Sequence, residues 1–346
     1  MAGRVIKAAI VGASSILGKE LADELNASLV ATWDIALFDT GDLSGQVTAA
    51  GDEPMVIQEI GPVSFVGIDV VFFASDAATT RKHWKDALTA GASIIDLSYA
   101  LENEKGVLVR CPLIETAELG TTPPPNLTTK AIVPAHPAAV MLALVVSRLR
   151  AKWKTVRLVA TVLEPASQQG REGLEELHQQ TVGTLSFQSL PKDVYDAQVS
   201  FNLNAALGDA AKVDLRKLTE QVRIHFGTIT GAEALFGLAL QLLQAPVFNG
   251  YTASVFAQFD EKQKLADVVK ALQGGMVSVV GADEPVPSNM SVIEQTQMLV
   301  SVRAEEFTAE KGFWLWMAVD NLRLSARNAS ACAMELVALR PAGKVQ

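Results

Sequence analysis

The stretch "VIKAAIVGASSILGKELADEL", Val5 to Leu25, decides the fold. Val5 to Val11 is a short, β-branched apolar run and predicts a buried strand. "GASSILG", Gly12 to Gly18, is a turn, and Leu17 to Leu25 places apolar residues at helical spacing, so a helix follows. A strand that turns through glycine into a helix can hold a pyrophosphate, because backbone N–H groups and the positive helix end face the anion. Gly12 permits the tight turn, Gly18 permits close helix–strand packing, and Ser15 stands where a glycine would let phosphate approach most closely. The candidate nucleotide contacts here are Gly12, Ala13, Ser14, Ser15, Ile16 and Leu17. The same residues also fit an ordinary strand–helix turn.

Onward from this unit the pattern repeats. "IALFD" (Ile35–Asp39) reads as a second strand. "DVVFFAS" (Asp69–Ser75) reads as a third, apolar on both faces as a central parallel strand should be, and its last residue, Ser75, joins the candidate contacts. Thr79 to Ala90 predicts a helix that Gly91 ends. "ASIIDLS" (Ala92–Ser98) is a fourth strand, and a further short one lies near Ile132. Alternating strands and helices with apolar strands mean an α/β parallel sheet. Asp39 closes the second strand, where an acid accepts hydrogen bonds from an adenosine ribose and repels a 2′-phosphate. Asp42 adds negative charge. A dinucleotide bound here is therefore expected to be NAD in preference to NADP, although two solvated loop acids give the same sequence.

"GTTPPPNLTTK" (Gly120–Lys130) is a loop, since its three prolines fit neither a helix nor a central strand. After it the texture changes. Strands are expected at Thr155–Ser167 and Phe313–Asn321, with a strand pair or bent strand at Val247–Asp260. Helices are expected at Gly170–Leu185, Leu215–Val222, Lys262–Leu272 and Arg323–Leu339. These do not alternate regularly, which points to an α+β second domain with an antiparallel or mixed sheet.

The 346 residues allow one large domain or two medium ones, and 49% of them are hydrophobic, enough for sizeable cores. The net charge of -9 argues against nucleic acid and anionic membrane surfaces as partners, because both would be repelled. Two cysteines, Cys111 and Cys332, are too few for a disulfide framework. The first residues lack the form of a signal peptide. The most apolar later run, Ala234–Leu243, is interrupted by Gly237 and Gln241 and is too short to span a bilayer. A cytoplasmic protein is expected.

Single residues carry weaker signals. His136 precedes Pro137 at a helix start and reads as a cap or surface residue, with a base as the alternative. His83, His178 and His225 stand alone, without metal-ligand spacing, so no metal site is expected. Cys111, beside Arg110, reads as structural, with a thiol activated by that arginine as the alternative. Cys332 reads as core. Glu172, Glu175 and Glu176 read as a solvated helix face.

The ordered set of segments resembles the aspartate-semialdehyde dehydrogenase family. "VGASSILGKELADEL" looks like its glycine loop and helix. "VFFASDAATTRKHWKDALTAGASIIDLSYA" looks like its third and fourth strands with the motif that follows. "GREGLEEL", "QAPVFNGYTASVFAQF" and "VDNLRLSARNASACAMEL" look like three later blocks of the second domain and the closing helix. The resemblance covers nearly the whole chain. It implies a Rossmann-like NAD(P)-binding domain (residues 1–133 with about 324–346) and an α+β dimerisation or catalytic-type domain with a mixed sheet (134–323). It also implies a C-terminal helix that returns to the first domain, and a homodimer built through the second domain's sheet.

Family chemistry, as the resemblance implies it, joins a covalent thioester to hydride transfer. A Cys thiolate at a helix N-terminus attacks the aldehyde, a His assists, and arginines bind carboxylate and phosphate. This sequence departs at each place. The nucleophile position falls on Ala139, the catalytic His on Tyr251 and the substrate Arg on Gln244. The phosphate Arg falls near Glu102, a supporting Gln on Glu164, and the Arg for the NADP phosphate near Asp42. What matches is structural: Gly12, Gly18, Asp96, Ser98, Pro112, Asn202, Gly250, Asp320, Asn321 and Arg323. The expectation is a dehydrogenase-like member without thioester chemistry that binds a nucleotide, small molecule or partner. The alternative is an NAD(P)-dependent oxidoreductase of changed chemistry using Tyr251, His136 or Glu164, with Cys111 as a displaced nucleophile the remotest variant.

Overall fold

The computed structural model describes residues 5–29, 31–50, 53–114, 124–154, 156–231, 234 and 237–339, apart from the side chains of 42, 49, 50 and 53. The chain divides into two units. One comprises residues 1–113, 122–135 and 325–346, and the other 114–121 and 136–324.

In the first unit, β1 (Ile6–Val11) turns into α1 (Ile16–Asn26) and is followed by β2 (Trp33–Asp39). A small antiparallel hairpin, β3 (Val47–Ala50) with β4 (Glu53–Val56), precedes β5 (Gln58–Glu59), β6 (Val70–Phe73) and α2 (Ala77–Thr89). β7 (Ser93–Asp96), β8 (Val107–Arg110) and β9 (Ala131–Pro134) complete a parallel sheet of order β5-β2-β1-β6-β7-β9-β8. β1, β6 and β9 are almost wholly buried, which is why their sequences are apolar runs and not alternations. The first four expected strands are present within a residue or two at each end. The short β5 and β8 and the β3–β4 hairpin are additions.

The second unit opens with α3 (Pro137–Lys152), β10 (Val156–Glu164), a 3-10 turn at Ala166–Gln169, α4 (Gly170–Leu185) and α5 (Leu215–Thr230). It continues with β11 (Leu238–Gln244), β12 (Tyr251–Phe259), α6 (Leu265–Leu272), β13 (Val277–Val279), β14 (Met298–Ala304) and β15 (Gly312–Val319). These six strands form a mixed sheet of order β11-β10-β12-β15-β14-β13. β10 alternates buried and accessible residues along its length, the mark of a sheet covered on one face. α3 is buried on nearly every side through its first ten residues.

Several expectations need correction. Val247–Asp260 holds one strand, Tyr251–Phe259, and not a strand pair, because Pro246 and the Gly250 turn keep its first residues out of the ladder. α5 runs eight residues past Val222. The apolar run Ala234–Leu243 leads into the edge strand β11, while Ala232, Glu233, Leu235 and Phe236 lie outside the described residues, as do the first residues of the Gly120–Lys130 loop. Among the described residues no helix is long and apolar enough to cross a membrane.

The last helix, α7 (Asn321–Ala338), starts in the second unit and from Ser325 belongs to the first. Ala326, Ala329, Cys332, Ala333 and Leu336 pack into the core between β1, β2 and α1. Arg110, 1% exposed at the end of β8, forms a bidentate pair with Glu335 of this helix, at 3.0 and 2.6 Å.

Candidate functional site

The glycine loop of the first unit is built as its sequence predicts, and it is already internally bonded. Gly12 has φ +84, and a Cβ there would lie 2.6 Å from the Ser75 backbone nitrogen, so glycine is required. A Cβ on Gly18 would lie 2.2 Å from the Gly12 carbonyl oxygen. Ser15 is the N-cap of α1: its Oγ accepts from the Gly18 N–H at 2.9 Å and donates to the Ala74 carbonyl at 3.0 Å. The side chain that replaces a phosphate-loop glycine therefore satisfies one of the helix donors an anion would use. Ala13 is buried, and Ser14, Ile16, Leu17 and Ser75 are half-buried. Asp39, 5% exposed, accepts the Ser14 N–H at 3.0 Å, the Ser14 hydroxyl at 2.6 Å and the Thr40 N–H at 2.9 Å. The side chain of Asp42 lies outside the described ones.

After β7, Asp96 and Ser98 form a closed turn. The buried Asp96 carboxyl accepts from Ser98 and from the Leu101 N–H. Burial raises its pKa, those hydrogen bonds oppose the rise, and the nearby Glu102 charge adds to it. Glu102 thus makes this corner more negative, as its sequence position suggests.

The second unit gathers the remaining candidates at one end of its sheet. His136 caps α3: its Nδ1 accepts from the Ala138 N–H at 3.3 Å, and Pro137 occupies the first turn, where its missing N–H costs little. His136 is fully buried, which corrects the surface reading. Its backbone N–H donates to Nδ1 of His225 on α5 at 3.0 Å, so His225 does not stand alone. Burial, helped by His225, pushes the His136 pKa down to about 3, which keeps the imidazole neutral. Its Nε2 lies 3.2 Å from the Gln168 amide nitrogen, and its ring meets the edge of Tyr251 at 6.2 Å. Ala139 is fully buried within the first turn of α3.

Beside this cap, Gln244 at the end of β11 pairs with Glu164 at the end of β10. The antiparallel register of β10 with β12 ends at Leu163 and Thr252. One step further sets Tyr251 opposite Glu164. Glu164 is fully buried and accepts from the Gln169 amide at 2.7 Å. Burial pushes its pKa up to about 8, while Gln169 and the Tyr251 hydroxyl, which faces the same carboxyl, hold it down. Tyr195 is buried nearby, with its pKa raised by burial and by the charges of Glu164 and Glu176. Asn321 fixes the surrounding loops, its Oδ1 accepting from Ser167 and from the Gly250 N–H.

The cluster holds a neutral imidazole, a carboxyl that favours its protonated form and buried hydroxyls. Among the described residues its chemistry is that of acid–base groups, and the nearby Ser167 hydroxyl is bonded to Asn321. Cys111 and Cys332 are both buried in the first unit, and Arg110 engages Glu335 rather than activating a neighbouring thiol. Glu172 is exposed and pairs with Lys212. Glu176 departs from the solvated-face expectation: it is 4% exposed and receives the N–H groups of Val194 and Tyr195. Among the described residues no group of three or more His, Cys, Asp or Glu is placed to hold a metal. His225, Gln168 and Tyr195 were not anticipated. Only His225 had a local signal, since Val222, His225, Phe226 and Ile229 share the buried face of α5.

Residues 7–123 match the family model described as semialdehyde dehydrogenase, NAD binding domain. Residues 146–324 match semialdehyde dehydrogenase, dimerisation domain. A USG-1 protein homolog of Pseudomonas aeruginosa is 27% identical over 93% of this chain and 94% of its own length. An aspartate-semialdehyde dehydrogenase of Rickettsia bellii is 23% identical over 95% and 97%. The solved structure titled as a probable aspartate-semialdehyde dehydrogenase from Pseudomonas aeruginosa superposes with a TM-score of 0.83 at 25% identity, covering 96% of this chain and 99% of that one.

Proposed function

The chain belongs to the semialdehyde dehydrogenase family, and we propose that within it this member binds ligands without forming a thioester. The observation that carries this reading is Ala139, a methyl buried in the first turn of α3 where the family resemblance puts the nucleophile. A methyl group neither attacks a carbonyl nor leaves it. The companions agree: Gln244 and Tyr251 are uncharged, Glu164 is acidic, and none supplies the cation that a carboxylate or phosphate substrate needs. The test is incubation of purified protein with aspartate semialdehyde, phosphate and NAD or NADP. No reduced nicotinamide should form, and turnover that survives stringent purification overturns the reading.

The first unit supports nucleotide binding through Gly12–Leu17, with NAD favoured over NADP by Asp39 and by Asp42, the acid that follows it in sequence. The second unit supports a homodimer. The accessible face of its mixed sheet carries Val159, Phe256, Trp314 and Trp316, with the Phe256 and Trp314 rings 5.1 Å apart. Light scattering at rising concentration tests this: a particle that stays monomeric removes the dimer. A cytoplasmic location fits both readings.

A second reading is favoured by one observation, the meeting of His136, Glu164 and Tyr251 in one buried cluster. These are acid–base groups an oxidoreductase uses without a covalent step. Thermal-shift titration with NAD and NADP tests its first requirement, since a bound ligand stabilises the fold.

A further inference from the structure

Buried polar atoms in folded proteins almost always find partners, so a cluster of orphans asks for a missing group. Four oxygens at one end of the second sheet meet no hydrogen-bond partner among the described residues: Asn204 Oδ1, Gln244 Oε1, Glu164 Oε2 and the Tyr195 hydroxyl. Three of them belong to residues in one line. Asn204 exchanges both backbone hydrogen bonds with Gln244, at 3.0 and 2.9 Å, and Gln244 pairs in register with Glu164. Directly paired β residues send their side chains to the same face.

The orientation of the Gln244 amide is set by its surroundings. Its Nε2 donates to the carbonyls of Glu164 and Ala245, both at 3.1 Å. Turning the amide over would set oxygen against two carbonyl oxygens, so Oε1 is the atom left facing the line. Glu164 is likewise engaged through Oε1 by Gln169, with the Tyr251 hydroxyl facing the carboxyl and Oε2 unmatched. With Glu164 ionised, the line presents three acceptor oxygens and no cation. An ionised Glu164 would repel an anion. An ammonium group has three donors and no acceptor, and its charge matches an ionised Glu164.

We propose that the line Asn204–Gln244–Glu164 is a binding site for the primary ammonium group of a small amine. It rests on reading this end of the second unit as a place for binding and not for acylation. Asn204 is half-buried and follows Phe201, Asn202 and Leu203, all exposed, so the line reaches the surface at that end. His136, His225, Tyr195, Tyr251 and Glu176 are the other titratable groups around it, and burial keeps His136 neutral.

The test is calorimetric titration of the full-length protein with ethylammonium, using tetramethylammonium, phosphate and malonate as controls. Ethylammonium should bind with release of a proton, because Glu164 must ionise to receive it, and tetramethylammonium, which has the charge but no N–H, should not bind. Glu164→Gln, nearly the same shape, should weaken binding by about tenfold or more, and Gln244→Leu should weaken it too. Circular dichroism of both variants secures the comparison against misfolding. Absence of ethylammonium binding, equal binding of tetramethylammonium, or unchanged binding by both variants overturns the proposal and leaves water as the occupant. Reduced nicotinamide formed in the dehydrogenase assay would defeat the reading above while leaving this titration's result intact.

Discussion

His225 holds His136 from 89 residues away: its Nδ1 accepts the His136 backbone N–H at 3.0 Å. The cap of α3 is therefore tied both to its own helix and to α5, and His136 is kept neutral, with its pKa lowered by burial and then by His225 to about 3. A base with a depressed folded pKa binds a proton in the unfolded chain first. Its contribution to stability is complete above the unfolded value of 6.5 and is lost as pH falls toward 3. His136→Asn keeps a capping side chain that does not titrate. Its urea midpoint should decline less steeply than the parent's across that window, and parallel declines would remove His136 from the acid sensitivity.

Glu164 has the opposite sign. Its folded pKa is raised to about 8 from 4.5 by burial, so its stability contribution is full below 4.5 and is lost as pH rises to 8. Glu164→Gln removes that loss. The variant should be more stable than the parent above pH 8 by roughly 2–4 kcal/mol, less than the full conversion of the shift because the fold relaxes around a charge, and the advantage should vanish in acid. Chemical denaturation at both ends of the range measures it. A constant difference at all pH values would contradict an ionisation cause.

Arg110 and Glu335 supply a third prediction. The arginine is 1% exposed and its partner half-buried, joined by two hydrogen bonds. Removing one side of such a pair strands a buried charge, so Glu335→Gln should cost about 3 kcal/mol. Arg110→Met with Glu335→Leu, which removes both charges, should cost clearly less than Glu335→Gln alone. Equal losses would show that packing, not charge, holds α7 to β8.

These relationships also show where the sequence was readable. β1, β6 and β7, with the helices α1 and α2, follow from apolar runs, glycine stops and helical spacing, because local pattern reports burial directly. β5 is two residues long and β8 four, too short for periodicity to register. β11 hides in "LALQLLQ", an apolar run that fits either element, and α5 continues past Val222 because His225 is buried on the same face as Val222, Phe226 and Ile229. Ala139, Glu164, Gln244 and Tyr251 were found by resemblance. Their joining to His225, Gln168 and Tyr195 depends on strand register and long-range packing, which no local pattern encodes. Glu176 reads as surface for the same reason: its donors, Val194 and Tyr195, lie a full loop away.

In the glycine loop, Ser14 competes for the acid a ribose would use. Its hydroxyl and N–H both reach Asp39 Oδ2. Ser14→Ala frees one acceptor site, so NAD should bind more tightly by about threefold to tenfold. Titration monitored by thermal shift measures this. Weaker binding in the variant would instead make the Ser14 hydroxyl a ligand contact.

Ala139→Cys is the direct test of whether a thiol alone would restore chemistry. The N-terminus of α3 favours a thiolate, so the substitution supplies a nucleophile in a suitable electrostatic position. The rest of the cluster works against the substrate. Gln244 and Tyr251 offer no positive charge to a carboxylate or phosphate, Glu164 would repel either when ionised, and neutral His136 is already occupied as the α3 cap. The position is also fully buried, so an added sulfur must displace neighbours, at a cost of about 1–3 kcal/mol. The variant should fold less stably than the parent and form no reduced nicotinamide from aspartate semialdehyde. Adding Gln244→Arg and Tyr251→His in the same chain should be needed before any turnover is seen. Activity from Ala139→Cys alone would show that the missing thiol was the whole of the difference.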